Sequence, residues 1–388
     1  MAQATSLPPP ESATSAFSLT EEKGVRSIRL LTHQQLVLMR FRKNRLAVLG
    51  LVVLVLLYIT AIFCEFLAPY DANRRFQGYV HVPPSVIHLR TADGQWQRPF
   101  IYKVERKTDP KTFERTYAED TSTPYPIKFL VRGDPYLMWG FIQSDLHLFG
   151  VDKAAEPFTL LGGDAMGRDL LSRIFYGGRI SLSIPLVGVF LSLLIGLTLG
   201  GISGYYGGVV DNIVQRLIEL IRSIPTIPLW MGLAAALPPN WPQLRVYIAI
   251  TIILSFVGWT TLARVIRGKF LALREEDFVL AALQAGARAG FVIREHLIPS
   301  FASYILVYLT LAIPGLIIGE TSLSFLGLGL VPPTISWGVL LKDAQKVAEV
   351  ALHPWILSPA LFVLATVMAF NFLGDGLRDA ADPYSQRT

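Results

Sequence analysis

Six stretches of this chain are apolar over lengths that a lipid bilayer requires. A hydrocarbon core of about 30 Å takes roughly 20 helical residues at about 1.5 Å each. Residues 46–64, 180–202, about 212–236, 246–263, 300–319 and 355–374 meet that length, and none has an ionisable residue in its middle. Only 16% of the chain is charged, against about 25% in soluble domains. The reading is an all-α polytopic membrane protein with about six transmembrane helices. In the third stretch Arg216, Glu219 and Arg222 fall three apart, so they can pair along one face at the interface. Its apolar part then begins near Ser223.

Lysine and arginine counted in short flanks set the orientation. Arg40, Arg42, Lys43 and Arg45 abut the first span and place the N-terminus in the cytoplasm. Six spans return Arg378 and Arg387 to the same side. Arg264, Arg267, Lys269 and Arg274 put the segment between spans four and five there too, while the opposite link "PPNWPQL" carries no charge. Residues 1–35 read as a disordered cytoplasmic tail: the first 22 are rich in Pro, Ser and Thr, without the basic start and apolar core of a signal peptide. The single cysteine, Cys64, excludes an internal disulfide framework.

Residues 36–70 hold the first span with its cytoplasmic flank, and 158–388 form a core with the other five. Between them, residues 71–157 form an extracytoplasmic insert, expected to be a small mixed α/β unit. In "RPFIYKVERKTDPKTFERTYAED" two aromatic and β-branched runs flank "KTDP", which predicts a hairpin, and "YPIKFLVRGDPY" predicts a further strand.

Catalytic and nucleotide-binding motifs are missing. No GxxxxGK[ST] loop occurs, and the glycine pairs in "YGGRISL" and "GYYGGVVD" lack the lysine of a phosphate cradle. There is no HExxH pair and no GxSxG elbow, so the chain is not expected to be an enzyme or to hold a cofactor. His296 reads as structural. A secondary transporter would carry ionisable groups deep in its spans; here prolines stand instead, at 185, 225, 228, 314 and 359, suiting kinked helices driven from elsewhere. A membrane-embedded enzyme or assembly scaffold stays open as the alternative class.

The segment "EEDFVLAALQAGARAGFVIREHLIPS" is helical but too charged to span. Phe278, Ala281, Ala282 and Ala285 fall on one helical face, and Glu275, Glu276 and Asp277 stand at the favourable N-terminal end. Gly286 permits a turn, and a second short helix is expected over 290–298, closed by Pro299. Such a small-residue face suits docking in a partner's groove or packing on its own protein.

This segment resembles the EAA loop of permease subunits in binding-protein-dependent ABC importers, with Ala281, Ala282, Gly286, Ile298 and Pro299 at matching positions. Leu280 stands where that pattern has glutamate. "FRKNRLAVLGLVVL", "LLGGDAMGRDLLSRIFYGGRISL", "SLSFLGLGLVPPTISWGVLLKDA" and "HPWILSPALFVLATVMAFNFLGDGLRDAADP" are similar, in order, to segments of the dipeptide/oligopeptide (and nickel) branch. The resemblance implies a type I importer (MetI-like) permease fold in a bacterial or archaeal inner membrane. It implies a second homologous permease, two ATPase subunits that carry ATP and Mg2+, and an extracytoplasmic binding protein as partners, with membrane lipid around the spans and no nucleic acid. Residues 264–299 become the coupling loop, with Asp277, Phe278, Ala281, Ala282, Ala285, Gly286 and Pro299 toward the ATPase. Peptides are the expected substrate, with nickel, opines or oligosaccharides as alternatives.

Three local readings accompany these motifs. Leu170, Leu171, Ile174 and Phe175 share a face, with Asp169 and Arg173 paired, giving an amphipathic helix lying at the outer membrane surface. "GLGLVPPTISWG" is expected to form an irregular external turn, and 374–379 to end the last span.

Overall fold

The computed structural model describes residues 33–91, 94–108, 110, 115–152 and 157–381. The expected tail through residue 32, Asp109 of "KTDP" with residues 111–114 after it, and Arg387 lie outside them.

Helix α1 (His33–Lys43) leads through Asn44 into α2 (Arg45–Ile62), the first span. Asn44 supplies the N-cap, its side-chain oxygen accepting from the Ala47 N–H at 3.1 Å. A short α3 (Cys64–Leu67) follows, ahead of the insert. The insert's described residues contain strands and turns but no helix, which corrects the mixed expectation. β1 (His88–Arg90), β2 (Trp96–Thr108) and β3 (Arg115–Pro126) make an antiparallel sheet in that order; β4 (Lys128–Met138) and β5 (Ile142–Gly150) pair separately. The predicted hairpin is β2–β3, closing at Thr108 opposite Arg115.

The second span, α4 (Leu170–Tyr206), is one helix of 37 residues. At about 1.5 Å per residue it measures roughly 55 Å, so its first turns project beyond a bilayer core. Those turns are the segment expected to lie flat on the surface. They stand upright instead because Leu170, Leu171 and Ile174 are buried among neighbouring elements. Asp169 does not pair with Arg173: it caps the helix, accepting from the Ser172 N–H at 2.8 Å. The Arg173 guanidinium donates to the Ala72 carbonyl at 3.0 Å and lies 3.4 Å from Asp164.

The expected third span is broken. α5 (Gly208–Arg222) and α6 (Thr226–Ala235) meet at 83°. Pro225 lacks an N–H and disfavours helical geometry in the residue before it, and α5 ends at Arg222, although Pro185 is accommodated within the unbroken α4. Of the three residues expected to pair along one face of α5, Arg216 pairs with Glu219 at 2.8 Å, while Arg222 donates to Thr261 Oγ1 at 3.0 Å.

α7 (Gln243–Leu273) is the fourth span. After α8 (Asp277–Gln284) come α9 (Ala289–Phe291), a π-helical turn over Val292–Leu297, and α10 (Ile298–Ser300). α11 (Ala302–Phe325) is the fifth span, followed by α12 (Trp337–Leu341) and α13 (Val347–Leu352). A 3-10 turn, Pro354–Leu357, enters α14 (Ser358–Ala381), the last span. Among the described residues five helices are long and apolar enough to cross a membrane, or six with the bent pair counted as one.

Glycine allows the spans to touch, because lipid tails supply no hydrophobic force between helices and close backbone approach must do the work. Gly196, Gly200 and Gly204 recur every four residues along α4 and meet α7; a Cβ on Gly200 would sit 2.5 Å from the Ala263 carbonyl oxygen. A Cβ on Gly376 would reach the Ala47 Cβ at 2.1 Å, joining α14 to α2. The stretch 374–379 therefore packs against its neighbours and does not stop the helix, which runs to Ala381. These contacts gather Arg45, Tyr206, Leu273 and Ala381 at one end of the bundle, opposite the insert.

"GLGLVPPTISWG" is irregular, as expected, with Val331, Pro332 and Pro333 exposed at its centre, but its two ends are anchored inside the protein. Leu330, Ser336 and Trp337 are buried, and Trp337 Nε1 donates to the Ile174 carbonyl at 3.0 Å.

Candidate coupling site

α8 lies at the bundle end opposite the insert, directly after α7. Its helix closes at Gly286, whose φ is +83°. The Gly286 N–H donates to the Leu283 carbonyl at 3.0 Å and the Ala287 N–H to the Ala282 carbonyl at 3.0 Å. That pair of bonds is the Schellman arrangement, which needs a left-handed residue where glycine sits.

The expected face divides in two. Val279 is fully buried among Leu262, Ile266 and Phe270 of α7 and Val292, Leu297 and Phe301 beyond α8. Ala282, one turn on, is half-buried against the same cluster. Asp277, Phe278, Ala281, Ala285 and Gly286 face solvent, as does Pro299 in α10. One edge of this helix therefore packs on the protein's own spans, and the other is bare.

Beside that bare edge lie Phe278, Leu280, Leu283 and Phe291, each with about two-fifths or more of its surface exposed. His296 stands edge-on to Phe278 and Phe291, with ring centroids 6.2 and 5.6 Å away, and fills the angle between α8 and the π-helical turn. That turn was missed: no residue pattern marks a single i→i+5 register, although such turns concentrate at functional sites. The expected helix over 290–298 does not stop at Pro299; the break comes at Phe301 (φ −128°).

An ionic cluster ties the same end together. Arg267 of α7 pairs with Asp211 at the start of α5, and Asp211 also accepts from Ser203 Oγ of α4. Leu273 of α7 packs against the Val279 cluster, so three intramembrane helices meet within reach of α8's seat. A cavity of about 200 Å3 lies among the spans between Ser192, Thr226, Trp230, Gly258, Tyr308 and Ala312.

One ionisable residue lies just past the expected limit of span five. α11 continues beyond Gly319, so Glu320 is helical and fully buried. It accepts from Ser181 Oγ at 3.2 Å and Ser324 Oγ at 2.9 Å. Those hydroxyls in turn accept the N–H groups of Trp337 and Leu330, at 3.0 and 3.1 Å. The carboxyl therefore fastens the buried loop between α11 and α12 to α4.

A bundle of long apolar helices, one of them broken, with a short solvent-facing helix seated on two of them at one end, defines a membrane permease component with no catalytic centre among its described residues. The chain belongs to the family described as binding-protein-dependent transport system inner membrane component, which matches residues 196–385. Residues 34–84 match the N-terminal TM domain of oligopeptide transport permease C. The Haemophilus influenzae oligopeptide transport system permease protein OppC is 39% identical over 66% of this chain and 80% of its own length. The Bacillus subtilis dipeptide transport system permease protein DppC is 30% identical over 90% of this chain and 85% of its own. Among solved structures, an inward-facing MetNI methionine ABC transporter chain aligns at TM-score 0.41 and 19% identity, over 53% of this chain and 95% of that one.

Proposed function

We propose that this chain is a permease subunit of a peptide-importing ABC transporter, working with a second homologous permease, two ATPase subunits and an extracytoplasmic binding protein. The observation that carries the proposal is the bare apolar edge of α8 above a buried Val279. A helix docked on a partner by one edge and on its own spans by the other transmits displacement between them. Closure of the ATPase pair around ATP and Mg2+ would push at Phe278, Ala281, Ala285 and Gly286. Val279 and Ala282 would carry the push to α7 and onward to the α4–α5–α7 ionic cluster. The charge-rich ends at Arg45 and Arg274 then face the cytoplasm with both termini, and the insert faces outward.

Peptide transport rests on the named relatives, and nickel, opine or oligosaccharide cargo remains the alternative within the same class. A permease without its own ATP site changes state only as far as its partners' differential affinity for the two states allows. The test is reconstitution with the partner subunits in vesicles, following uptake of labelled dipeptides and oligopeptides. Uptake should need ATP and binding protein together. Uptake driven by an ion gradient without ATP would overturn the importer reading; ATP-driven uptake of a different cargo would overturn only the peptide assignment.

A further inference from the structure

At the insert end of the bundle three metal-ligating side chains converge from distant parts of the sequence. His81 precedes β1, while Glu349 and His353 stand four apart at α13, on one side of a helical turn. His81 Nε2 lies 3.1 Å from a Glu349 carboxylate oxygen. The imidazoles of His81 and His353 are stacked, with centroids 4.2 Å apart and planes inclined by 7°. One candidate ligand atom from each residue falls within 4.8 Å of the other two. Around a tetrahedral zinc ion with ligand bonds of about 2.1 Å, donor atoms stand roughly 3.4 Å apart, and each imidazole binds in its own ring plane, so the His353 ring must turn out of its stack on His81 to close the set.

Two further observations point to a ligand. The Nδ1 atoms of both histidines are buried and have no hydrogen-bond partner, an expensive condition for a polar atom that coordination through Nδ1 would relieve, His81 Nε2 already facing Glu349. His81 also holds a left-handed backbone, φ +52°, uncommon for a residue other than glycine and found where surroundings impose it. Its N–H donates to the Asp164 carbonyl at 3.0 Å, and Trp355 Nε1 donates to the Gly163 carbonyl at 3.1 Å. The scaffold on both sides is therefore fixed before any ion arrives.

We propose that His81, Glu349 and His353 form a divalent-metal site of the zinc class that staples the strand-rich insert to the segment entering the last span. Two imidazoles and one carboxylate are a borderline-soft donor set that suits zinc and rejects magnesium and calcium, which take oxygen ligands. Three protein ligands leave a fourth position for water. The role is mechanical: bound metal fixes the insert against α13 and α14, and chelation releases it. This site does not depend on the proposed cargo or on the ATPase partners.

The test uses the full chain in lipid nanodiscs, stripped with a chelator and titrated with zinc against a chromophoric competitor. One saturable equivalent is expected, with affinity falling at least tenfold in H81Q, H353Q and E349Q and unaffected by millimolar magnesium. Cobalt(II) on the unmodified chain supplies a readout that needs no variant: a visible four-coordinate nitrogen–oxygen spectrum, bleached by zinc. Zinc at about 100 times its Kd should also raise the folded-to-unfolded ratio of the insert about 100-fold, read as protease resistance between residues 71 and 157. No saturable zinc binding, no cobalt spectrum, or binding that survives H81Q and H353Q together would each overturn the proposal.

Discussion

Substitution of Gly286 separates two roles that α8 combines. Its φ of +83° is left-handed, and a Cβ built there meets nothing within 4 Å. Alanine is therefore opposed by the backbone alone, at about 1–2 kcal/mol. Leucine carries the same backbone cost, with open space at its branch point. Asparagine, which tolerates this region, costs less. In the isolated chain Gly286→Ala and Gly286→Leu should thus lower the population of the closed turn alike, by roughly 5- to 30-fold, and Gly286→Asn should lower it less. A docked partner changes the order, because leucine would project from the face that the partner covers. The expected series for ATP-dependent uptake is wild type, Asn, Ala, then Leu, with Leu at least tenfold below Ala and co-purifying less ATPase subunit, while all four insert normally. Equal uptake for Ala and Leu would show that only the turn matters and would refute docking at this edge.

Gly200→Val would drive a branched side chain into backbone only 2.5 Å from its Cβ. Since backbone cannot step aside as a side chain can, a loss of about 1–3 kcal/mol or more is expected, read as a lower melting temperature in detergent; Gly268→Val, on open ground, serves as the control. Glu320→Gln keeps an acceptor oxygen for one of Ser181 and Ser324 and offers the other hydroxyl an amide N–H to accept, so it should melt nearer the wild type, whereas Glu320→Leu strands two buried hydroxyls at about 1–3 kcal/mol each. Equal melting of the two variants would remove the fastening role of that carboxyl. At the base of the insert, burial is the largest influence on the Glu65 carboxyl and raises it, but the Arg179 fork at 2.7 Å together with its backbone and Cys64 hydrogen bonds outweighs burial and the net position is below the ordinary 4.5. A depressed folded pKa means the contribution is present above 4.5 and disappears as pH falls through the lowered value. Acidification should therefore loosen the insert–α4 junction in the wild type, with a smaller pH dependence in Glu65→Gln, followed by melting as a function of pH.

How much of this was legible in the sequence depends on the range of the interaction. The spans announced themselves because a bilayer punishes any unpaired polar group, so apolar length is a direct reading of environment. The β2–β3 hairpin and the Gly286 turn were equally plain, since each is settled by a few neighbouring residues. The glycine stripe at 196, 200 and 204 was present as a four-residue repeat and passed unread. The 83° break at Pro225 was signalled by the proline but not its size, which depends on what α5 packs against. Asp169 and Arg173 show the limit most clearly: their spacing fits a pair, yet the Ser172 N–H three residues on and the carboxylate of Asp164 claimed them separately.

The sequence by itself determined that the chain lives in a membrane, how many times it approaches crossing it, and where a short helix leaves the bilayer, because hydropathy, charge and turn chemistry act locally. Tertiary structure alone decided which edge of that helix is buried, that Glu320 lies sealed among serines, and that His81 meets His353 across 272 positions. Those facts arise from packing between segments whose distance along the chain carries no information about their distance in space.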